Sequence, residues 1–242
     1  MSNQTNSLLG AGGISSKIYL IPTVLHDDEK ALEALPAYLL NTIKDCQAFF
    51  VENEKTARRF FKKLWKEMVI DDYTWHTIHK AEQTVKAAFV QCLKEGKNIG
   101  IVSEAGCPGI ADPGQLLVNM AQQMNAKVVP LTGPSSILLA LMASGMNGQS
   151  FQFVGYLPID EQERRKSIKE LEEYSHKKNC TQIFIETPYR NNQLFKTLIE
   201  TCKYETNICV AVDITASAES IQTKKIKDWK RAFHDNRRYN SG

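Results

Sequence analysis

The stretch Ser103–Gly114, SEAGCPGIADPG, constrains the fold more than any other part of this 242-residue chain. It follows Ile99-Gly100-Ile101-Val102, an apolar run rich in β-branched residues, and five Gly or Pro residues interrupt it before an apolar helical pattern resumes at Leu116. Strand, loop and helix in that order predict a βα unit. Gly106 and Gly109 permit positive φ and put no side chain between the backbone and a ligand, while Pro108 and Pro113 stiffen the turn. A loop of this composition suits close approach to a ligand, although ordinary βα connections share it. A second unit follows, in which Lys127–Pro130 reads as a short strand and Gly133-Pro134-Ser135-Ser136 leads into an apolar helix ending near Met146. Ser135 or Ser136 would cap that helix and leave its first N–H groups facing an adjoining cleft. In an open α/β sheet, consecutive turns of this kind at the carboxyl ends of strands are where a nucleotide-like ligand is expected. The chain has no GxGxxG and no GxxxxGK[ST], which argues against NAD and ATP.

The same alternation runs through the rest of the chain. Strand Ile18–Pro22, helix Asp28–Leu40, strand Ala48–Val51, and helices Thr56–Leu64 and Gln83–Glu95 precede the loop strand. Helix Glu161–Tyr174, strand Gln182–Ile185, helix Asn191–Cys202 and strand Asn207–Val212 follow it. Strands interleaved with helices predict an α/β protein with mostly parallel sheets flanked by helices. Length fits one large or two medium domains, and the element pattern supports two joined near Gly155, giving 17–154 and 155–242 behind a polar, glycine-rich leader, 1–16. With 43% hydrophobic and 24% charged residues the composition is that of a globular protein, and no run approaches the roughly 18 apolar residues a membrane span needs. Cys46, Cys92, Cys107, Cys180, Cys202 and Cys209 lie singly, which fits reduced thiols, and the leader lacks a signal-peptide pattern; a cytoplasmic protein is expected.

Four ordered blocks resemble the tetrapyrrole (corrin/porphyrin) methylases, and within them the branch that methylates a ribose 2′-oxygen of small-subunit ribosomal RNA. SEAGCPGIADPG is similar to that branch's S-D-A-G-T-P-G-I-S-D-P-G loop, and LTGPSSILLALMASG to its G-P-S-A turn and helix. Phe151–Leu171 resembles its F-x-F-x-G-F-L-P connector and Ile183–Asn191 its Y-E-S-P-H-R block, so the similarity is best from Asn98 to Leu198. The resemblance implies an S-adenosylmethionine-dependent methyltransferase of two α/β domains with the cofactor in the cleft between them, acting as a homodimer on RNA without a metal. By motif it implies that Ala105, Gly106, Cys107 and Ile110, together with Leu25 in the first turn and Ser135 and Ser136, border the cofactor. Glu186, after its strand, and Ile214, in the last strand, would border the adenosine. Three departures mark this chain. Val24-Leu25-His26-Asp27 stands for P-I-G-N, Glu52-Asn53-Glu54-Lys55 for E-D-T-R, and Val212-Asp213-Ile214-Thr215 matches R-E-L-T-K only in part.

An activated methyl asks the protein mainly for alignment, and a ribose hydroxyl acceptor also needs a base. Glu104, Glu186 and Glu52 each end or follow a strand and are the candidates; capping or ion pairing would explain each equally well. His76 and His79 share a helical spacing but have no third ligand nearby, so no metal site is expected. Seven Lys or Arg against two Asp lie between Lys224 and Arg238, interleaved with Trp229, Phe233 and Tyr239, a composition that suits RNA or a packed surface helix. Lys55, Arg58, Arg59, Lys62, Lys63 and Lys66 form a second basic cluster, with a solvated helix face as the plainer reading. Two other functions stay open. Methylation of a tetrapyrrole carbon is disfavoured by the missing G-P-G-D and G-G-D-P turns, and a noncatalytic cofactor- or RNA-binding paralogue is kept open by the altered first turn.

Overall fold

The computed structural model describes residues 15–78, 82–111 and 114–239, so the expected leader up to residue 14, His79 and Pro113 lie outside the described residues. The chain divides into two compact units between Ser135 and Ser136.

In the first unit, β1 (Lys17–Ile21), β2 (Ala48–Val51), β3 (Thr74–Thr77), β4 (Ile99–Val102) and β5 (Lys127–Pro130) form one five-stranded sheet in the order β3-β2-β4-β1-β5. Every pairing is parallel. All four residues of β2 and of β4 are buried, because helices cover both faces. Alternation along the strands sends Ile18, Ala48, Phe50, Ile99 and Ile101 to one side. There they pack with Val85, Phe89 and Leu93 of α3 (Glu82–Lys94) and with Leu117 and Ala121 of α4 (Gln115–Gln123). Tyr19, Ile21, Phe49, Val51 and Val102 point to the other side. Leu39 and Ile43 of α1 (Leu39–Lys44) and Ala57, Phe60 and Phe61 of α2 (Glu54–Leu64) meet them there. Phe49 is the hub of that layer, with ring centroids 4.7 Å from Phe61, 5.0 Å from Trp75 and 5.3 Å from Tyr73. The chain leaves β1 toward β2 on one face and leaves β4 toward β5 on the other. The loops after these two adjacent strands therefore diverge and open a crevice at the sheet's carboxyl edge.

The expected helix Asp28–Leu40 is broken. A 3-10 segment, Glu29–Ala34, is capped by Asp28, whose carboxylate accepts from Lys30 N–H at 2.8 Å, and α1 starts only at Leu39. Pro36 supplies no N–H and forces Leu35 into extended backbone at φ −103°, ψ 144°.

The second unit contains α5 (Ser136–Ser144), β6 (Phe151–Tyr156), α6 (Glu161–Lys178), β7 (Thr181–Ile185), α7 (Asn191–Thr201), β8 (Asn207–Val212), β9 (Ser220–Lys225) and α8 (Ile226–Tyr239). β6 and β7 pair in parallel, whereas β8 and β9 form an antiparallel hairpin. Asp160 caps α6 by accepting from Gln162 and Glu163 N–H, both at 2.9 Å, and Asn179 ends the helix in left-handed backbone at φ 48°. The helix continues past the expected Tyr174 to Lys178. Leu157, Ile168, Leu194 and Leu198 make the unit's core.

Division falls before α5, ahead of the expected Gly155, because α5 packs on β8 and β9 and the Thr223 hydroxyl donates to Ser144 O at 2.8 Å. Ile214 is not in a strand. β8 stops at Val212, and Asp213 and Thr215 on either side of Ile214 take positive φ of 51° and 73°, which turns the chain and buries Ile214. All six cysteines are free thiols, as their isolated positions predict. Among the described residues no helix is long and apolar enough to cross a membrane.

Candidate functional site

Three loops of the first unit are sewn together at the carboxyl edge of its sheet. After β1, Thr23 N–H donates to Gly106 O at 2.9 Å, and the Ser103 hydroxyl donates to the same oxygen at 2.9 Å. The Thr23 hydroxyl donates to Ser103 O at 3.3 Å. Gly106 holds φ +76°, where a Cβ would stand 3.1 Å from Pro134 O and 3.2 Å from Leu25 Cδ2. Gly133 lets the third loop close on the first: a Cβ there would lie 2.1 Å from Pro22 Cβ. Cys107 faces the carbonyl oxygens of Gly133 and Pro134 at 3.7 and 3.5 Å, and burial pushes its thiol pKa up, so it is a packing group and not a thiolate.

The apex of the middle loop stays open. Ala105, Gly109 and Ile110 are exposed, and a Cβ on Gly109 would meet nothing within 4 Å among the described residues. This is an uncharged backbone ledge with the apolar side chains of Ala105 and Ile110, which fits the close approach of a nucleoside-like ligand. Leu25, Ala105, Gly106, Cys107, Ile110 and Ser135 all belong to these loops. Thr23, which fastens two of them, was missed by sequence reasoning; the only signal was a hydroxyl residue directly after a strand end.

Beside the ledge lies an open groove of about 750 Å³, lined by the Thr23–Asp28 turn, the start of the 3-10 segment, one face of α2 with Lys66 beyond it, and Ser103-Glu104. Of the three carboxylate candidates Glu104 lines it, and Glu52 touches the Glu104 backbone. Glu104 Oε1 accepts the Thr56 hydroxyl at 2.9 Å, and Glu104 N–H donates to Glu52 Oε2 at 3.3 Å. Asp27 reaches across to α2, pairing with Lys63 and, at 3.9 Å, with Arg59. The Lys63 ammonium holds the Asp27 carboxyl below the usual carboxylate range.

Ser136, Glu186 and Ile214 belong to the second unit. The Glu186 side chain is 7% exposed and engaged locally. Its Oε1 accepts from Arg190 at 2.8 Å (Nε) and 2.5 Å (Nη2), and from Thr187 N–H at 2.8 Å. The described side chains of the basic tail are also engaged. Glu205 takes Lys225 at 2.6 Å and Lys227 at 2.8 Å, Lys224 lies 4.6 Å above the Trp229 ring, and Lys230 4.4 Å above that of Tyr204. Trp229 donates to Ile208 O at 3.0 Å and meets Phe195 edge-on at 5.3 Å, so the tail packs as a surface helix. The side chains of Phe233 and Tyr239 lie outside the described residues.

Comparison with known proteins places the chain in a family. A protein of Vibrio cholerae named ribosomal RNA small subunit methyltransferase I is 30% identical over 209 residues, 85% of this chain and 67% of its own length. The Bacillus subtilis protein of that name is 31% identical over 183 residues, 76% and 59% respectively, and one from Buchnera aphidicola 37% identical over 153 residues, 62% and 52%. The chain thus spans between about half and two thirds of the length of these relatives. Among solved structures, diphthine synthase superposes with a TM-score of 0.63 at 10% identity, covering 89% of this chain and 84% of that one. The cobalt precorrin-4 methyltransferase CbiF does so at 0.57 and 16%, covering 94% and 93%, a likeness of fold. The sequence profile of the family matches residues 30–229, which take in the ledge from Ser103, the groove's α2 wall and most of the second unit; the chain belongs to the tetrapyrrole (corrin/porphyrin) methylases.

Proposed function

We propose that this protein transfers a methyl group from S-adenosylmethionine to a ribose 2′-oxygen of small-subunit ribosomal RNA, as a cytoplasmic homodimer. The observation that carries the reading is the open ledge Ala105–Ile110 beside the Glu104 carboxylate at the sheet's carboxyl edge. Ala105, Gly106, Cys107, Ile110 and Ser135 would hold the cofactor, chiefly through backbone, and Leu25 would close over Gly106. When bound, the cofactor supplies a sulfonium methyl that needs no metal for activation. The protein's share is alignment, exclusion of water and removal of one proton. Glu104 suits the proton: Thr56 fixes one carboxylate oxygen, and the other has no hydrogen bond among the described residues. With the cofactor bound, that oxygen would take the proton of the acceptor hydroxyl as O2′ receives the methyl. Glu52, accepting the Glu104 N–H, holds the loop that carries it.

A second reading, binding without transfer, draws on Leu25, whose Cδ2 already lies against Gly106. Calorimetry with S-adenosylmethionine on the wild-type chain and on Ala105→Trp separates the outcomes, since Ala105 is exposed and the variant should melt normally. Binding near micromolar, about −8 kcal/mol, that the variant abolishes is expected. Labelled methyl should then reach purified small-subunit ribosomal RNA, with a rate that Glu104→Gln lowers by about 10²-fold or more. Binding without label transfer would favour the second reading, and no heat at millimolar cofactor would remove both. Sedimentation of the same sample reads the oligomeric state.

A further inference from the structure

The basic cluster on α2 is not one solvated face. Arg58 is paired with Glu54 and lies 5.2 Å from the Trp75 ring, and Lys62 Nζ donates to Lys66 O at 2.8 Å, so both are spent on the fold. Arg59 and Lys63, four apart and hence on one side of the helix, line the groove together with Lys66. Lys66 pairs with no carboxylate among the described residues. What neutralises the other two is Asp27, on the turn where this chain carries Val24-Leu25-His26-Asp27. Its side chain is 68% exposed and bridges Lys63 and Arg59. The remaining acids of the groove have local tasks, Asp28 capping the 3-10 segment and Glu104 accepting Thr56.

We infer that Arg59, Lys63 and Lys66 form a phosphate site for the RNA strand, and that Asp27 holds the phosphate's place until the strand displaces it. The inference rests on the RNA reading above and deepens it. An exposed carboxylate bridging two cations gains little in water, so a phosphodiester that also engages Lys66 and a guanidinium fork can replace it. The groove runs on to Ser103-Glu104, where the acceptor hydroxyl is proposed to lose its proton. A phosphate on α2 would therefore anchor the same strand that presents the ribose. Holding Arg59 and Lys63 in place beforehand also keeps them extended into the groove when no strand is bound.

The test uses a fluorescein-labelled ten-nucleotide single-stranded RNA, titrated with the full chain at several KCl concentrations, and inorganic tripolyphosphate as a competitor. Arg59→Ala/Lys63→Ala should weaken RNA binding by about tenfold or more and flatten the log–log salt slope by about two, and Lys66→Ala should do so by about one. Asp27→Asn should tighten it about threefold beyond Glu170→Gln, which makes the same charge change on α6. Melting curves should show all variants folded. RNA binding that ignores the α2 variants, or an Asp27→Asn gain equal to that of Glu170→Gln, overturns the inference and leaves the RNA reading standing. Tripolyphosphate binding that follows the variants without any RNA binding keeps the anion site and removes the RNA reading; no binding of either removes both.

Discussion

Asp27 and Glu205 are exposed carboxylates that each hold two cations, yet they sit in different surroundings. Glu205 takes Lys225 and Lys227 at the junction of β9 and α8, where Trp229 packing and the β8–β9 hairpin fix the backbone on both sides. Asp27 reaches from a turn to Lys63 and Arg59 across an open groove. One pair closes a structural clip; the other spans a space that a ligand could enter. Charge counts along the sequence treat the two regions alike, and the difference lies in what packs behind the cations.

The comparison breaks if the tail proves to be more than a clip. Trp229→Ala should cost about 3 kcal/mol in urea unfolding, through loss of the Phe195 edge contact and the Ile208 hydrogen bond, and leave the salt slope of RNA binding unchanged. A variant that loses the slope while staying folded would make the tail part of the interface. Lys225→Ala/Lys227→Ala should alter RNA affinity by less than about twofold against the tenfold loss expected from the groove pair.

Acid titration sharpens the contrast between the two units. His76 stacks on Phe50 at 4.6 Å, its Nε2 buried and without a hydrogen-bond partner among the described residues. Burial, then Lys97, lowers its pKa below 6.5, against a smaller opposing effect of Glu54. The native state therefore favours the neutral ring, and this contribution is complete above pH 6.5 and fades as pH falls. Hydrogen-exchange protection factors at β3, corrected for the intrinsic rate, should fall from about pH 6 downward, and His76→Phe should remove that dependence. Glu205, lowered to about 2 by Lys225 and Lys227, keeps its contribution above pH 4.5 and loses it between there and pH 2. Exchange in β8 and β9 should respond only in that lower window, weakly because the group is exposed, and Glu205→Gln should abolish the response.

Local chemistry made much of the fold readable. Ala48–Val51, Ile99–Val102 and Asn207–Val212 are short apolar or β-branched runs, and each forms the strand expected of it. Thr74–Thr77 hides from such a reading because four residues carry no period, and it becomes a strand by pairing with β2. Lys224 and Lys225 look like the start of a basic tail, but their backbones pair with Ile208 and Asn207. Pro36 was visible inside a helical pattern that it in fact interrupts. At the site, the contiguous loop Ser103–Ile110 announces itself through its glycines and prolines. Thr23 to Gly106, Thr56 to Glu104 and Asp27 to Lys63 join residues dozens of positions apart, and no spacing rule encodes such pairings.

The contact between Gly133 and Pro22 carries a lesson for anyone diversifying this scaffold toward new acceptors. With only 2.1 Å between a would-be Cβ and a proline ring carbon on a neighbouring strand end, position 133 tolerates no alternative residue without prying the first loop off the third. A combinatorial library should leave 133 untouched. Variation belongs in the Val24–Asp27 turn, which borders the same ledge and is one of the three places where this chain departs from the family's pattern.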